Sequence, residues 1–124
     1  MFKRLILIVA ILVSCVGCDQ VTKSVAKSYL SETQAVSLVG GSVRLQIAKN
    51  YGAFLSLGAS MSQSARTALL SAGVAAVLLG IFVYSLVVVP TNPFVVPAFA
   101  IILGGGVSNL IDRLYYGGYV LDFL

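Results

Sequence analysis

The sequence has 124 residues, of which 59% are hydrophobic and 10% charged, and its mean hydropathy is +1.02. Soluble domains usually carry about 25% charged residues, so this composition predicts a single-domain integral membrane protein. The net charge of +4 is scattered without an aromatic-basic cluster, which indicates contact with anionic membrane lipids and no nucleic-acid partner. Histidine is absent, which excludes Ser-His-Asp and Cys-His nucleophile systems and H-E-x-x-H zinc sites. With two cysteines only, a thiolate zinc site is excluded as well, and we expect no metal or cofactor.

The N-terminal segment has two interpretations. Lys3 and Arg4 precede the uncharged residues 5–18, which would span only about 21 Å as a helix. This pattern is typical of a cleavable signal peptide, and LVSC, ending at Cys15, is similar to a lipoprotein cleavage box. The alternative is a retained helix that continues through residues 19–23. The residues alone leave both interpretations open.

The polar segment 19–66 predicts a small β-element on the membrane surface. Residues 42–49, SVRLQIAK, alternate apolar and polar side chains with the period of a half-buried strand. Gly40 and Gly41 stand where a two-residue hairpin turn requires positive φ. Ser62 or Ser64 is positioned to cap the helix that follows.

A transmembrane hairpin is predicted by residues 67–111, none of which is charged. Residues 67–89 would form a helix of about 34 Å, enough to cross a hydrocarbon core of about 30 Å. PTNP ends this helix because proline interrupts helices, and residues 94–111 supply a further span of about 27 Å. We therefore expect a single membrane domain, 1–124, with helices at about 5–22, 66–89 and 94–114, an outer β-containing loop at about 23–64, and a C-terminal interfacial segment at 115–124.

The orientation of these segments is ambiguous. Lys3 and Arg4 favour a cytoplasmic N-terminus, which places the polar loop and residues 112–124 outside. The positive-inside rule disagrees, because five Lys and Arg residues lie in the polar segment and none in PTNP.

Four polar clusters flank the apolar segments: DQVTK (19–23), NYGAF (50–54), GGGVSNLIDR (104–113) and GGYVLDF (117–123). Charged groups at such positions suggest function, although a plain interfacial role is as good an explanation for any single one. Together the clusters contain D-Q-x-T-K, N-x-G-A, G-x-x-x-N-L-I-D-R and V-x-D-F in this order. From about residue 5 onward the sequence thereby resembles the lipoprotein signal peptidases (signal peptidase II). These are membrane aspartic peptidases that cut prolipoproteins just before a lipid-modified cysteine.

The resemblance implies an all-α polytopic membrane protein, with three transmembrane helices present where the family has four, and a small β-element in the outer loop. It favours a retained first helix that ends at D-Q-x-T-K. It further implies diacylglyceryl-modified prolipoproteins as substrates. The implied location is the bacterial cytoplasmic (inner) membrane, with several spans and the active site at the outer face.

The resemblance also implies roles for single residues. Asp122, in VLDF, matches one member of the catalytic aspartate pair. Asn109 and Arg113 match residues that line and brace the active site, with Asp112 as the expected structural partner of Arg113. The remaining matches are Asn50, Gly52 and Ala53 in the substrate-facing loop, Gly105 as a point of close approach for substrate or a helix, and Asp19 and Lys23 as stabilising residues at the end of the first helix.

The sequence departs from the family pattern in two places. Ten positions separate Asp112 from Asp122 where nine are common. We expect the extra residue to lie at the glycine pair Gly117-Gly118. The family continues into a fourth helix whose N-x-A-D motif holds the second catalytic aspartate. This sequence stops two residues after Asp122, so we expect a truncated relative that is inactive alone, because the reaction requires two carboxylates sharing one proton. Asp112 lies beside Arg113 and is not expected to replace the missing group.

Two alternatives remain at this stage. One is a small lipoprotein that is cleaved after Ser14 and lipidated at Cys15. The other is a non-catalytic relative that still binds lipidated peptides. A redox role for CVGC, residues 15–18, has little support, because a thioredoxin-like context is missing.

Overall fold

The computed structural model describes residues 1–52, 60–88 and 92–123. Three helices in these ranges are long and apolar enough to cross a membrane: α1 (Phe2–Tyr29), α2 (Gln63–Val87) and α3 (Val95–Tyr115). The strands are β1 (Val36–Leu38), β2 (Val43–Leu45), β3 (Ile47–Asn50) and β4 (Val120–Phe123). The predicted fold class, a polytopic helical membrane protein with a small β-element, is confirmed.

The buried core lies where the three helices meet, and α3 contacts both α1 and α2. The members of this core are Ile8, Leu78, Val96, Ala100 and Leu103. Many other apolar side chains of α1 and α2 are exposed. This distribution is expected of helices that face lipid, where close packing and polar contacts hold helices together.

Two glycines of α3 allow the neighbouring helices to approach on opposite sides. A Cβ atom at Gly104 would overlap the Cβ of Cys15 in α1, and one at Gly106 would overlap the side chain of Leu78 in α2. Gly105 has open space around its Cβ position among the described residues, so α1 and α2 do not approach it, and close approach of a substrate at Gly105 stays a prediction. The reason is helix geometry, since residues 104 and 106 point about 200° apart and Gly105 points between them.

The helix boundaries differ from the expected ones mainly at the end of α1. This helix continues past residue 22 to Tyr29, because no proline or glycine follows Gly17 within it. The hydroxyl of Ser62 accepts a hydrogen bond from the backbone N–H of Ala65, at 3.4 Å, which confirms the predicted cap of α2. Within α2, the stretch Ala68–Gly73 is π-helical.

Arg4 holds the end of α2. Its guanidinium donates hydrogen bonds to the carbonyl oxygens of Leu86, at 3.1 Å, and Val88, at 2.7 Å. A helix leaves its last carbonyl groups without partners, and a cation there also opposes the negative end of the helix dipole. One membrane face therefore holds the start of α1 and the end of α2. We call the opposite face, where α1 and α3 end and the strands lie, the strand face.

The strands form two separate antiparallel sheets. In the first, β1 pairs with β2 and Val36 lies opposite Leu45. Residues 39–42 connect these strands, so the predicted two-residue turn is wrong. Gly40 and Gly41 nevertheless have φ of 64° and 89°, the positive values predicted from the sequence. In the second sheet β3 pairs with β4, so residues 120–123, expected only as part of an interfacial segment, form a strand with the polar loop.

We predict that Gly104→Ala lowers the free energy of unfolding by about 1–3 kcal/mol, because the added methyl group overlaps Cys15. Gly105→Ala is the matched control. It adds the same methyl group to open space, and alanine favours the helix by up to about 1 kcal/mol. Unfolding of the purified proteins in detergent measures both effects. Equal losses in the two variants would contradict the assignment of close approach to Gly104.

Candidate active site

The second sheet places Asp122 next to Asn50. Asp122 lies opposite Ala48 in the strand register, and Asn50 is the diagonal neighbour on the same side. The side-chain amide of Asn50 donates to Oδ2 of Asp122 at 3.2 Å. Its amide oxygen accepts a hydrogen bond from the backbone N–H of Gly52 at 3.0 Å, which fixes the amide orientation. The result is a half-buried carboxylate with an oriented hydrogen-bond donor.

Arg113 joins the end of α3 to the same loop. Its guanidinium donates to the carbonyl oxygen of Gly52 at 2.9 Å, and both residues are buried. The Nε–H of Arg113 is also buried and has no hydrogen-bond partner among the described residues. An unused donor at this depth is costly.

The expected pairing of Asp112 with Arg113 is wrong. Oδ2 of Asp112 lies 2.7 Å from the ammonium of Lys23 in α1, and Oδ1 accepts from the side-chain amide of Gln20 at 2.9 Å. Successive side chains on a helix point about 100° apart, so Asp112 turns to α1 while Arg113 turns to the loop. Asp112 is only 1% exposed, and it therefore needs this cationic partner.

A buried polar network connects α1 to α3 around this ion pair. Lys23 also lies 2.7 Å from the carboxylate of Asp19, one turn earlier on α1. Ser108 of α3 donates to Asp19 and accepts from Gln20 at 2.8 Å. Asp19 and Lys23, expected to stabilise the end of the first helix, thus lie in the contact between α1 and α3.

The network also reaches strand β4. Oδ2 of Asp112 accepts a hydrogen bond from the backbone N–H of Leu121 at 3.2 Å. Leu121 is buried and directly precedes Asp122. The ion pair between the helices therefore restrains the backbone that carries the half-buried carboxylate.

The other site residues predicted from the sequence lie around this centre or outside the described ranges. Asn109 is exposed on α3, and its side-chain oxygen accepts from Lys23 at 3.4 Å. Gly105 lies one turn earlier on the same exposed side. Ala53 falls among the residues that the structure does not describe.

Two participants were missed by sequence reasoning, Gln20 and Ser108. Gln20 belongs to D-Q-x-T-K and Ser108 to GGGVSNLIDR, but neither motif predicts a role for them. A usable signal was present, because Ser108 and Asp112 are four residues apart on one helix face, as are Asp19 and Lys23.

Three apolar spans, a buried charge network at one membrane face and a half-buried carboxylate beside it define an integral membrane protein with a polar site at the strand face. A family model described as "Signal peptidase (SPase) II" matches residues 11–124, and the chain belongs to this family.

Curated relatives agree with this membership. The chain is 33% identical over 115 residues to the "Lipoprotein signal peptidase" of Treponema denticola, covering 86% of this chain and 61% of the relative. A protein of the same name from Leifsonia xyli subsp. xyli is 34% identical over 125 residues, covering 96% of this chain and 55% of the relative. One from Borrelia hermsii is 31% identical over 123 residues, covering 98% and 71%. The chain thus spans less than two thirds of the length of the first two relatives.

We predict that Lys23→Met lowers the free energy of unfolding by about 3–5 kcal/mol, because it leaves Asp112 charged and buried without its cation. Lys27→Met is the matched control, since Lys27 is exposed one turn further along α1. The control should unfold almost as the wild type does in detergent without added lipid. The double variant with Asp112→Leu should recover part of the lost free energy of unfolding. A Lys23→Met variant as stable as the control would contradict the buried pair.

Proposed function

We propose that this chain is the core of an aspartic endopeptidase that removes signal peptides from diacylglyceryl-modified prolipoproteins by cutting before the lipid-modified cysteine. The family membership and the names of the relatives support the reaction class. The observation that carries the proposal is Asp122, a half-buried carboxylate next to an oriented amide and a buried guanidinium.

In this proposal Asp122 acts as general base. Its bond to Asn50 engages Oδ2, which directs Oδ1 to an attacking water. Asp122 takes a proton from the water, the resulting hydroxide adds to the scissile carbonyl carbon, and a second carboxyl group protonates the carbonyl oxygen. As the tetrahedral intermediate collapses, one of its hydroxyl groups returns a proton to the second carboxylate, and Asp122 donates the proton it took from water to the amine nitrogen as the C–N bond breaks. Two neighbouring carboxyl groups supply base and acid together because they cannot both be ionised.

The exposed side of α3 suggests how a lipidated substrate reaches this carboxylate. Ile101 and Ile102 are more than half exposed, and Gly105 and Asn109 continue the same side of α3. Acyl chains would lie along the apolar part, while the peptide reaches the polar end of the helix. There the Nε–H of Arg113, which lacks a partner among the residues that the structure describes, would donate to a peptide carbonyl group.

The lipoprotein alternative does not fit the helix packing. Cys15 lies in the middle of α1, and its Cβ packs against Gly104 of α3. Cleavage after Ser14 would remove Ile8 from the buried core.

A non-catalytic relative that binds lipidated peptides is the second candidate. It is favoured because the other three acids of this sequence are ion-paired with lysine residues. Asp19 and Asp112 bind Lys23, and Glu32 lies 2.9 Å from Lys49. Binding of a lipidated peptide without its cleavage would distinguish this candidate from the peptidase.

Within the proposal the strand face is the outer face of the bacterial cytoplasmic membrane. Six of the eight Lys and Arg residues lie on this face, against the positive-inside rule. Three of the six, Lys23, Lys49 and Arg113, bind carboxylate or carbonyl groups within the fold. Fewer cations therefore remain at the surface than the sequence suggests.

We predict that Asp122→Asn, in the protein produced from its natural gene, lowers the rate of prolipoprotein processing by at least about 100-fold without lowering protein level. The amide keeps the shape but is not a base. Glu32→Gln is the matched control, because it removes an exposed carboxylate on the same face. The assay follows conversion of precursor to mature lipoprotein in cells that lack another such peptidase. Full activity of the Asp122 variant would refute its catalytic role. Binding without cleavage by the wild-type protein would favour the second candidate.

We also predict that a cysteine at Ser37, in β1, reacts with a membrane-impermeant maleimide from outside intact cells. A cysteine at Asn92 is the control, since Asn92 is exposed just before α3 on the opposite face. It should react only after the membrane is opened. The reverse labelling pattern would show that the strand face is cytoplasmic.

A further inference from the structure

Three tyrosines in successive ring contact lie at the strand face, and we call them the tyrosine ladder: Tyr116, Tyr119 and Tyr51. The rings of Tyr116 and Tyr119 are stacked with centroids 5.1 Å apart and planes 15° apart. The ring of Tyr51 follows 5.3 Å from that of Tyr119. The first contact closes the turn between α3 and β4, and the second fastens this turn to the loop after β3.

Each ring of the ladder carries a cation from a different element. The ammonium of Lys27 in α1 lies 4.7 Å from the ring centroid of Tyr116, and that of Lys49 in β3 lies 5.6 Å from Tyr119. The guanidinium of Arg66 in α2 lies 5.5 Å from Tyr51. Such contacts hold cations in place at a surface without neutralising them.

Within the described ranges, Lys49 of the ladder is paired with an acid, whereas Lys27 is not. Glu32 binds Lys49, and this hydrogen bond raises the pKa of Lys49, so that Lys49 stays cationic. Asp19 and Asp112 bind Lys23. Lys27 is exposed, and within the described ranges no carboxylate lies at ion-pair distance from it. Its ammonium instead donates to the hydroxyl of Tyr116 at 3.4 Å.

A cavity of about 310 Å³ opens beside Lys27, between the ends of α1 and α3. This volume equals the share of about ten water molecules, enough for a phosphate with its glycerol. Lys27, Ser24 and Tyr116 supply donors to it, and Ile111 and Tyr115 form part of its wall. Asp112 also borders the cavity, but it is 1% exposed and bonded to Lys23.

We propose that this cavity binds the phosphate headgroup of an anionic phospholipid, with Lys27 as the main cationic contact and Tyr116 as a hydrogen-bond donor. The occupant is a lipid of the surrounding leaflet rather than a soluble phosphate. The reason is that the cavity lies at the ends of two spanning helices, with the exposed Ile111 and the 80%-exposed Tyr115 beside it. Tyrosine is enriched where membranes meet water, and cations there attract anionic headgroups.

The test is a lipid titration of the purified protein produced from its natural gene, in neutral detergent. Dioleoyl phosphatidylglycerol, dioleoyl phosphatidylcholine and inorganic phosphate are added separately, and thermal unfolding is followed. We expect phosphatidylglycerol to raise the Tm in a saturable way, and we expect phosphatidylcholine and inorganic phosphate not to. Lys27→Gln should weaken the apparent affinity about fivefold, the effect of one basic residue near an anionic surface. Tyr116→Phe should weaken it less, because the ring that supports Lys27 remains.

Two controls keep the result decisive. Lys3→Gln removes an exposed cation from the opposite face and should leave the apparent affinity for phosphatidylglycerol unchanged. Lys27→Arg keeps the positive charge and should bind phosphatidylglycerol as the wild type does. An equal response to phosphatidylglycerol in the wild type and in Lys27→Gln would overturn the proposal. A Tm increase with inorganic phosphate alone that Lys27→Gln abolishes would overturn the choice of a lipid. If Lys27→Gln also lowers the Tm in phosphatidylcholine, the phosphatidylglycerol titrations of Tyr116→Phe and Lys27→Arg are compared instead. The proposal then requires a weaker apparent affinity in Tyr116→Phe than in Lys27→Arg.

Discussion

The ion pair between Lys23 of α1 and Asp112 of α3 is the interaction on which the rest of the structure depends. Both residues are buried, and in such a setting a charge without a partner costs far more than in water. The pair therefore fixes the rotation of α1 against α3 as well as their separation. Through the backbone of Leu121 it also restrains β4, so the relative position of two helices determines where Asp122 lies.

Helix α3 distributes its side chains in three directions within two turns. Ser108 and Asp112 turn to α1, Gly106 turns to α2, and Arg113 turns to the loop that carries Asn50. The segment G-x-x-x-N-L-I-D-R is thus dense in polar residues because one helix end meets three neighbours. It also separates two carboxylates by environment. Asp112 is enclosed and bound to its cation, while Asp122 is half-buried and accepts only an amide donor among the contacts described for it.

The sequence allowed the spans, the positive φ of Gly40 and Gly41 and the Ser62 cap to be predicted, because each depends on local composition or a local backbone requirement. The pairing of β3 with β4 was not predictable in this way. Its strands are four residues each and far apart in the chain, and neither carries a strong pattern alone. The error at Asp112 has a physical cause. Motif order locates a polar cluster but not the phase of its helix, and a shift of one residue turns a side chain by about 100°.

The sheet between β3 and β4 has a consequence for the order of assembly. Asn50 and Asp122 are separated by 72 positions, and both later spans lie between them. At about 5–20 residues per second, roughly 4–14 s pass between the synthesis of the two residues. Until then β3 has an unpaired edge at the membrane surface, and its partner strand arrives only after α3 has been made. The contact between Asn50 and Asp122 thus forms late in biogenesis, when the helices are already in the bilayer.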